Sequence, residues 1–147
     1  MYSSPLGDIL IAAGEGCITG VWFADQAPPP GCVPLCSPLC DTCAVQLREY
    51  FCGTRRCFDL PIRLRGTDFQ LRVWQTLRTI PYGHTVSYGE LAAALRTSPR
   101  AIGGAVSKNP VSIIIPCHRV IGANKSLTGY AGGLERKQAL LMLERGL

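Results

Sequence analysis

At Thr67 the spacing of apolar residues changes, and this change constrains the fold more than any other feature of the chain. Before it, apolar runs are short and punctuated. Residues 9–13 and 17–23 are joined by Gly14-Glu15-Gly16, the pattern of a β-hairpin. Residues 58–64 alternate and read as a third strand, with Pro61 at an edge or a bulge. After Thr67 the period is helical: Phe69, Val73 and Leu77 recur every four residues, with Trp74 beside them. Strands first and helices afterwards make segregated layers. The expectation is a small α/β N-terminal domain over residues 1–63, an antiparallel sheet plus a helix, followed by a mostly helical domain over residues 64–147.

Residues 26–41 (QAPPPGCVPLCSPLCD) interrupt the first domain as a Pro/Cys-rich loop. Asp41 is the expected cap of a helix bearing Val45, Leu47, Tyr50 and Phe51 and stopping near Gly53. In the second domain, Thr67-x-x-Gln70 and Ser87-x-x-Glu90 have capping-box spacing. Ser98 and Pro99 are the N-cap and first residue of another helix. Helices over 85–95 and 98–108 form a helix-turn-helix, the second closed by a left-handed Asn109 and stopped by Pro110. In that second helix Ile102 and Val106 form an inward stripe, and Ala101, Gly103, Gly104, Ala105 and Ser107 are small. Two mid-helix glycines cost about 1 kcal/mol each. Tight helix packing and close approach of a nucleic-acid groove both account for that cost.

Composition narrows the classes. Apolar residues at 47% and charged residues at 17% describe a globular chain, and no apolar run is long enough to span a bilayer. The first basic residue is Arg48, so the start lacks the basic region of a secretory signal. The expected location is the cytoplasm, or the nucleus in a eukaryote. Residues 1–47 hold four acids and no Lys or Arg, a sum of −4. The other 100 residues hold all 15 basic residues and six acids, a sum of +9. That asymmetry fits a polyanion partner, nucleic acid first, and equally a basic surface with no partner. Eight cysteines in such a chain do not read as a disulfide framework. Cys32, Cys36, Cys40 and Cys43 are close enough to wrap a zinc ion, but the spacing is not that of a zinc ribbon and no His is near. A redox-labile loop is the simpler expectation, with no metal and no cofactor.

The chemistry gathers near the C-terminal end. Residues 111–115 (VSIII) read as a buried strand stopped by Pro116, and Cys117-His118-Arg119-Val120 follow. A Cys beside a His is a nucleophile candidate, with the His acting directly or through water. The His needs a carboxylate to fix its tautomer, and Glu135 and Glu144 on a final helix over 134–145 can supply it. Glu144 sits in the last turn, where the helix dipole disfavours an acid. Taken singly, a structural thiol and a solvated glutamate also account for Cys117 and Glu144.

The stretch Asn109-Pro110-Val111-Ser112-Ile113-Ile114-Ile115-Pro116-Cys117-His118-Arg119-Val120 resembles the active-site motif of the O6-alkylguanine-DNA alkyltransferases, of the bacterial stand-alone type. The likeness extends to Ile80-Pro81-Tyr82-Gly83, to 86–92 (VSYGELA), to 127–137 (LTGYAGGLERK), and to Pro5-Leu6-Gly7 and Gly20-Val21-Trp22-Phe23. Only residues 26–41 lie outside it. The resemblance implies a ribonuclease H-like N-terminal domain and stoichiometric transfer of an alkyl group from O6-methylguanine in double-stranded DNA to Cys117, and leaves O4-methylthymine open as a second substrate. It implies that His118 is the base, that Glu144 orients it, that Asn109 shapes the neighbouring turn, and that Tyr130 donates toward the leaving base. The damaged base is flipped out, with Tyr88 pushing on the 3′ phosphate and Arg100 filling the gap. Ala101, Gly103, Gly104, Ser107 and Arg119 belong to the DNA face, on a helix docked in the minor groove. Val106, Val120, Thr128, Ala131 and Gly132 form the pocket. No cofactor is implied, and the protein acts as a monomer.

The chain departs from the family pattern in four places. Ser112 stands where Pro is usual, the turn before Arg100 is two residues short, Thr128 replaces a common Gly and narrows the pocket, and the Cys-rich loop has no counterpart. Three rival readings exist. A papain-like hydrolase would need an oxyanion hole that no residue marks. A binder without chemistry would lack Cys117, and a regulatory helix-turn-helix protein would not need Tyr130, Glu144 and the Pro-Cys-His-Arg motif together.

Overall fold

The computed structural model describes residues 1–29, 31–33, 37–122, 130 and 133–146. It divides into two compact units, residues 1–64 with 110–112, and residues 65–109 with 113–147.

The first unit is a three-stranded antiparallel sheet, β1 (Tyr2–Ser4), β2 (Gly7–Gly14) and β3 (Cys17–Phe23), in that order. The β2–β3 hairpin pairs Ile9 with Phe23 and Gly14 with Cys17, and its turn is made by Glu15 and Gly16, both at positive φ. Helix α1 (Pro38–Phe51) packs on the sheet and buries Cys40, Cys43, Leu47 and Tyr50. Its cap is Ser37, whose hydroxyl accepts from the Cys40 amide, with Pro38 at the first helical position. Asp41 therefore lies inside the first turn, where its charge still complements the helix dipole. The helix stops where expected, with Gly53 at φ +79° just beyond it.

The strand expected over 58–64 reduces to one bridge. The Ile18 amide donates to the Pro61 carbonyl, and the Arg63 amide to the Ile18 carbonyl. Pro61 has no N–H to extend the ladder. Residues 111–115 are likewise not a strand. Val111 makes a single bridge to Val21, and the chain then turns through Ile113 at φ +71°. A β-branched apolar run satisfies burial in either conformation, so hydropathy does not separate them.

The second unit is helical. Thr67 closes a full capping box with Gln70 at the start of α2 (Asp68–Leu77). Strand β4 (Val86–Ser87) runs directly into α3 (Tyr88–Leu95), capped by the Ser87 hydroxyl on the Glu90 amide. Arg96 in the left-handed conformation turns the chain into α4 (Pro99–Val106), which Ser98 caps. These two helices are the helix-turn-helix, α3 beginning three residues later and α4 ending two residues earlier than expected. The end of α4 is closed by Ser107 in the right-handed region, so Asn109 is not a left-handed cap. Trp74 on α2 satisfies one of the terminal carbonyls of α4, its indole N–H donating to the Ala105 oxygen at 2.8 Å. A short 3-10 turn (Cys117–Arg119), strand β5 (Val120–Ile121) and α5 (Leu134–Glu144) complete the unit. No helix of the described residues is long and apolar enough to cross a membrane.

Candidate active site

The site is built where β5 leaves the Cys117–Arg119 turn. Ile115, Pro116 and Cys117 make an inverse γ-turn, with Pro116 at φ −81°, ψ 66° and the Cys117 amide donating to the Ile115 carbonyl at 2.8 Å. The same carbonyl accepts from the Asn109 side-chain N–H at 2.9 Å. Asn109 thus fixes the turn through its side chain rather than its backbone. Strand β5 pairs in parallel with β4, Val86 opposite Val120 and Ser87 opposite Ile121. This pairing places Tyr88, the first residue of α3, just beyond the Ile121 end of β5.

Cys117 and His118 are buried, at 3% and 0% exposure. His118 Nε2 lies 2.6 Å from a Glu144 carboxylate oxygen. A carboxylate only accepts, so Nε2 carries the proton and Nδ1 keeps its lone pair. Nδ1 is buried and makes no hydrogen bond among the described residues. Burial holds the imidazole below its ordinary pKa, and the neighbouring Glu144 only partly offsets this. The ring is therefore a neutral, oriented base. Burial also pushes the Cys117 thiol up, opposed by the Asn109 hydrogen bond and by the charge of Lys137. The proton needs an acceptor before this sulfur can attack.

Glu144, the last residue of α5, is the hub. It accepts from Arg119 Nε at 2.8 Å and Nη2 at 3.0 Å, and from the Gly83 amide at 3.2 Å. Arg119 Nη1 donates to the Ile80 carbonyl at 2.7 Å. This explains an acid at a helix C-terminus: a bidentate guanidinium outweighs the dipole. Glu135, the other candidate, is exposed. Arg119 is a correction. It was expected on the DNA face, but its guanidinium is buried against Glu144 because that carboxylate cannot be buried without a counter-charge.

Tyr130 reaches the same place. Its hydroxyl is buried, makes no hydrogen bond among the described residues, and is held well above its ordinary pKa by burial and the neighbouring Cys117. Lys137 is wholly buried, and the sequence reading passed over it. It lies seven residues before Glu144, two helical turns, so both face inward. That spacing was the available signal.

On α4, Arg100, Gly104 and Ser107 are exposed, and Ala101 and Gly103 half-buried. A methyl group on Gly104 would meet nothing within 4 Å, and one on Gly103 only the Tyr88 ring at 3.9 Å. Packing among the described residues therefore does not demand glycine at either position. Val106 and Val120 are buried. Thr128, Ala131 and Gly132 lie outside the described residues, as does Cys36. Cys40 and Cys43 face the core of the first unit, and among the described residues no cluster suited to a metal ion occurs.

Comparisons with known proteins agree along the whole chain. Residues 1–64 match the family described as 6-O-methylguanine DNA methyltransferase, ribonuclease-like domain, and residues 68–146 match its DNA binding domain. A methylated-DNA–protein-cysteine methyltransferase of Mycolicibacterium paratuberculosis is 47% identical over 97% of this chain and 88% of its own. The constitutive one of Bacillus subtilis is 42% identical over 97% and 92%. Among solved structures, Mycobacterium tuberculosis OGT in complex with DNA superposes with a TM-score of 0.88 at 46% identity, over 99% of this chain and 91% of that one. With two matched domains, identities above 40% across nearly the full length and the expected layered architecture, this chain belongs to the 6-O-methylguanine DNA methyltransferase family.

Proposed function

We propose that this protein repairs DNA directly, as a methylated-DNA–protein-cysteine methyltransferase, by moving the alkyl group from O6 of guanine in double-stranded DNA onto Cys117. The observation that carries the assignment of Cys117 is the buried relay beside it: a neutral His118 whose Nε2–H is fixed by Glu144 and whose Nδ1 is left able to accept a proton. The Cys117 proton passes to Nδ1 through a bridging water. The thiolate attacks the alkyl carbon in line with the departing oxygen. A sulfur–carbon bond forms, the carbon–O6 bond breaks with its electron pair on guanine, and the base takes a proton. The Tyr130 hydroxyl is the donor toward that base. The thioether is uncharged and a poor leaving group, so each chain reacts once, and no cofactor enters the balance.

A carbon at the base edge is out of reach inside the stack, so the nucleotide must be flipped out. Tyr88 acts on the 3′ phosphate and Arg100 takes the vacated place. The open, small-residue face of α4 suits a minor groove about 6 Å wide. Val106, Val120, Thr128, Ala131 and Gly132 line the pocket, and O4-methylthymine is a second substrate to test. The chain acts as a monomer in the cytoplasm.

The test is intact-protein and peptide mass spectrometry after incubation with a duplex containing O6-methylguanine. One added methyl per chain, on the peptide carrying Cys117, is expected. Binding without mass gain, or a methyl on another cysteine, overturns the assignment.

A further inference from the structure

We propose that Arg96, with Arg72 beside it, binds the phosphate backbone of duplex DNA at the turn between α3 and α4. The proposal rests on the reading of α4 as the helix that meets DNA.

The turn is closed by a Schellman motif. The Arg96 amide donates to the Ala93 carbonyl at 3.4 Å, and the Thr97 amide to the Ala92 carbonyl at 2.9 Å. The residue between those bonds must be left-handed, and Arg96 is, at φ 56°, ψ 51°. Glycine meets that demand without strain, because it has no Cβ to crowd the carbonyl oxygen. An arginine there is strained, and its backbone does nothing that a glycine would not do better. Strain held at a turn points to what the side chain does. That side chain is exposed.

Arg72 reaches the same turn from α2. It is exposed, and its Nη2 donates to the carbonyl of Leu95, the residue before Arg96, at 3.4 Å. The bond answers one of the orphan carbonyls at the end of α3 and leaves the other guanidinium N–H donors for a ligand. Arg100, also exposed, follows Arg96 by one helical turn of sequence, at the start of α4. Among the described residues none of these three arginines makes an ion pair, although Asp68 stands four residues before Arg72 on α2. Like charges gathered at one turn repel one another, and a polyanion converts that repulsion into attraction.

The dimensions of DNA place phosphates at this turn. A helix with its side chains is about 10–12 Å across, and the minor groove is about 6 Å wide. Only the small-residue face of α4 can enter, so the turn that leads into the helix stands at the phosphate rim of the groove. A guanidinium meets a phosphate through two parallel N–H···O bonds. Contacts of this kind fix the register of the docked helix and do not read base sequence.

The test is the salt dependence of binding to an undamaged duplex, followed by fluorescence anisotropy, so that no alkyl transfer enters it. Arg96→Gly and Arg96→Asn both accept the left-handed backbone and remove the charge. Each should bind about fivefold to tenfold more weakly at about 0.1 M salt, and the slope of log K against log salt should flatten by about 0.9, one phosphate contact. Arg72→Gln should flatten it as well, and Arg96→Lys should keep the slope of the parent. The urea midpoint of Arg96→Gly should not fall, since the substitution relieves strain. Unchanged affinity and slope in both neutral Arg96 variants overturn the proposal. Weaker binding matched by a lower urea midpoint in both also overturns it, because Arg96 would then serve the fold. Methyl uptake from a duplex containing O6-methylguanine is measured alongside in the unmodified chain. If uptake fails while the slopes flatten, the alkyl-transfer reading falls and the phosphate contact stands. If uptake stands while the slopes are equal, the phosphate contact alone falls.

Discussion

Replacing Glu144 by Gln keeps the shape of the side chain and removes its charge. The carboxylate is wholly buried and accepts from His118, from two nitrogens of Arg119 and from the Gly83 amide. The amide has one accepting oxygen, and its NH2 must face a donor. The buried Arg119 guanidinium then has no counter-charge. Breaking a buried pair from one side costs about 3–5 kcal/mol. For a chain of this size, that lowers the melting temperature by about 6–20 °C. Arg119→Met strands the carboxylate instead and should cost about as much. In the double variant neither charge is stranded. What remains is the Ile80 carbonyl without its donor, worth about 1–3 kcal/mol. The two losses should therefore fall short of additivity by about 2 kcal/mol or more. Urea denaturation of the four proteins closes the cycle. Losses that add to within about 0.5 kcal/mol would refute the view that Glu144 and Arg119 are buried as one unit.

Three further outcomes follow from separate parts of the structure. Gly104→Ala should raise stability by up to about 1 kcal/mol, since the added methyl meets nothing, whereas Gly104→Leu should weaken duplex binding tenfold or more. Unchanged affinity in a titration would show that DNA does not approach this backbone. The Cys43 thiol is pushed up to about 12 from 9.0 by burial and the nearby Cys40. Its contribution to stability is whole below pH 9 and is lost as pH rises from 9 through 12. The urea midpoint should thus fall more steeply between pH 8 and 10.5 in the parent than in Cys43→Ala, and parallel slopes would contradict this. Ser37→Ala should cost about 1 kcal/mol in urea, whereas Asp41→Ala should cost less, because Ser37 is the cap.

The parts legible in the sequence are those decided by neighbours along the chain. The turn of the β2–β3 hairpin, the Thr67 and Ser98 caps and the tight turn between α3 and α4 depend on residues within four positions of one another. Apart from the cap of α1, the misread parts depend on distant partners. Residues 111–115 have a strand's composition, yet Ile113 is left-handed and each flank is held elsewhere. Asp41 was a plausible cap until Ser37 and Pro38, four and three residues upstream, took the position. The resemblance put Arg119 on the DNA face, and an arginine in a basic region usually faces solvent. Only the carboxylate 25 residues later turns it inward. Lys137 was passed over although it stands two helical turns before Glu144, on the same buried face. The Cys-His-Arg order was readable, while the charge balance around it was not.

The order in which the chain is made gives the Glu144 hub another consequence. Synthesis proceeds from the N-terminus, and segments begin to fold as they emerge. Cys117, His118 and Arg119 appear well before Glu144, which follows His118 by 26 residues. Until it arrives, Arg119 lacks the carboxylate it is buried against in the folded chain. The residue that orients the histidine is also the one that lets the arginine sink. A half-made chain therefore carries its sulfur without the means to activate it. On the proposed function, readiness of the thiol to react therefore waits on the folding of α5.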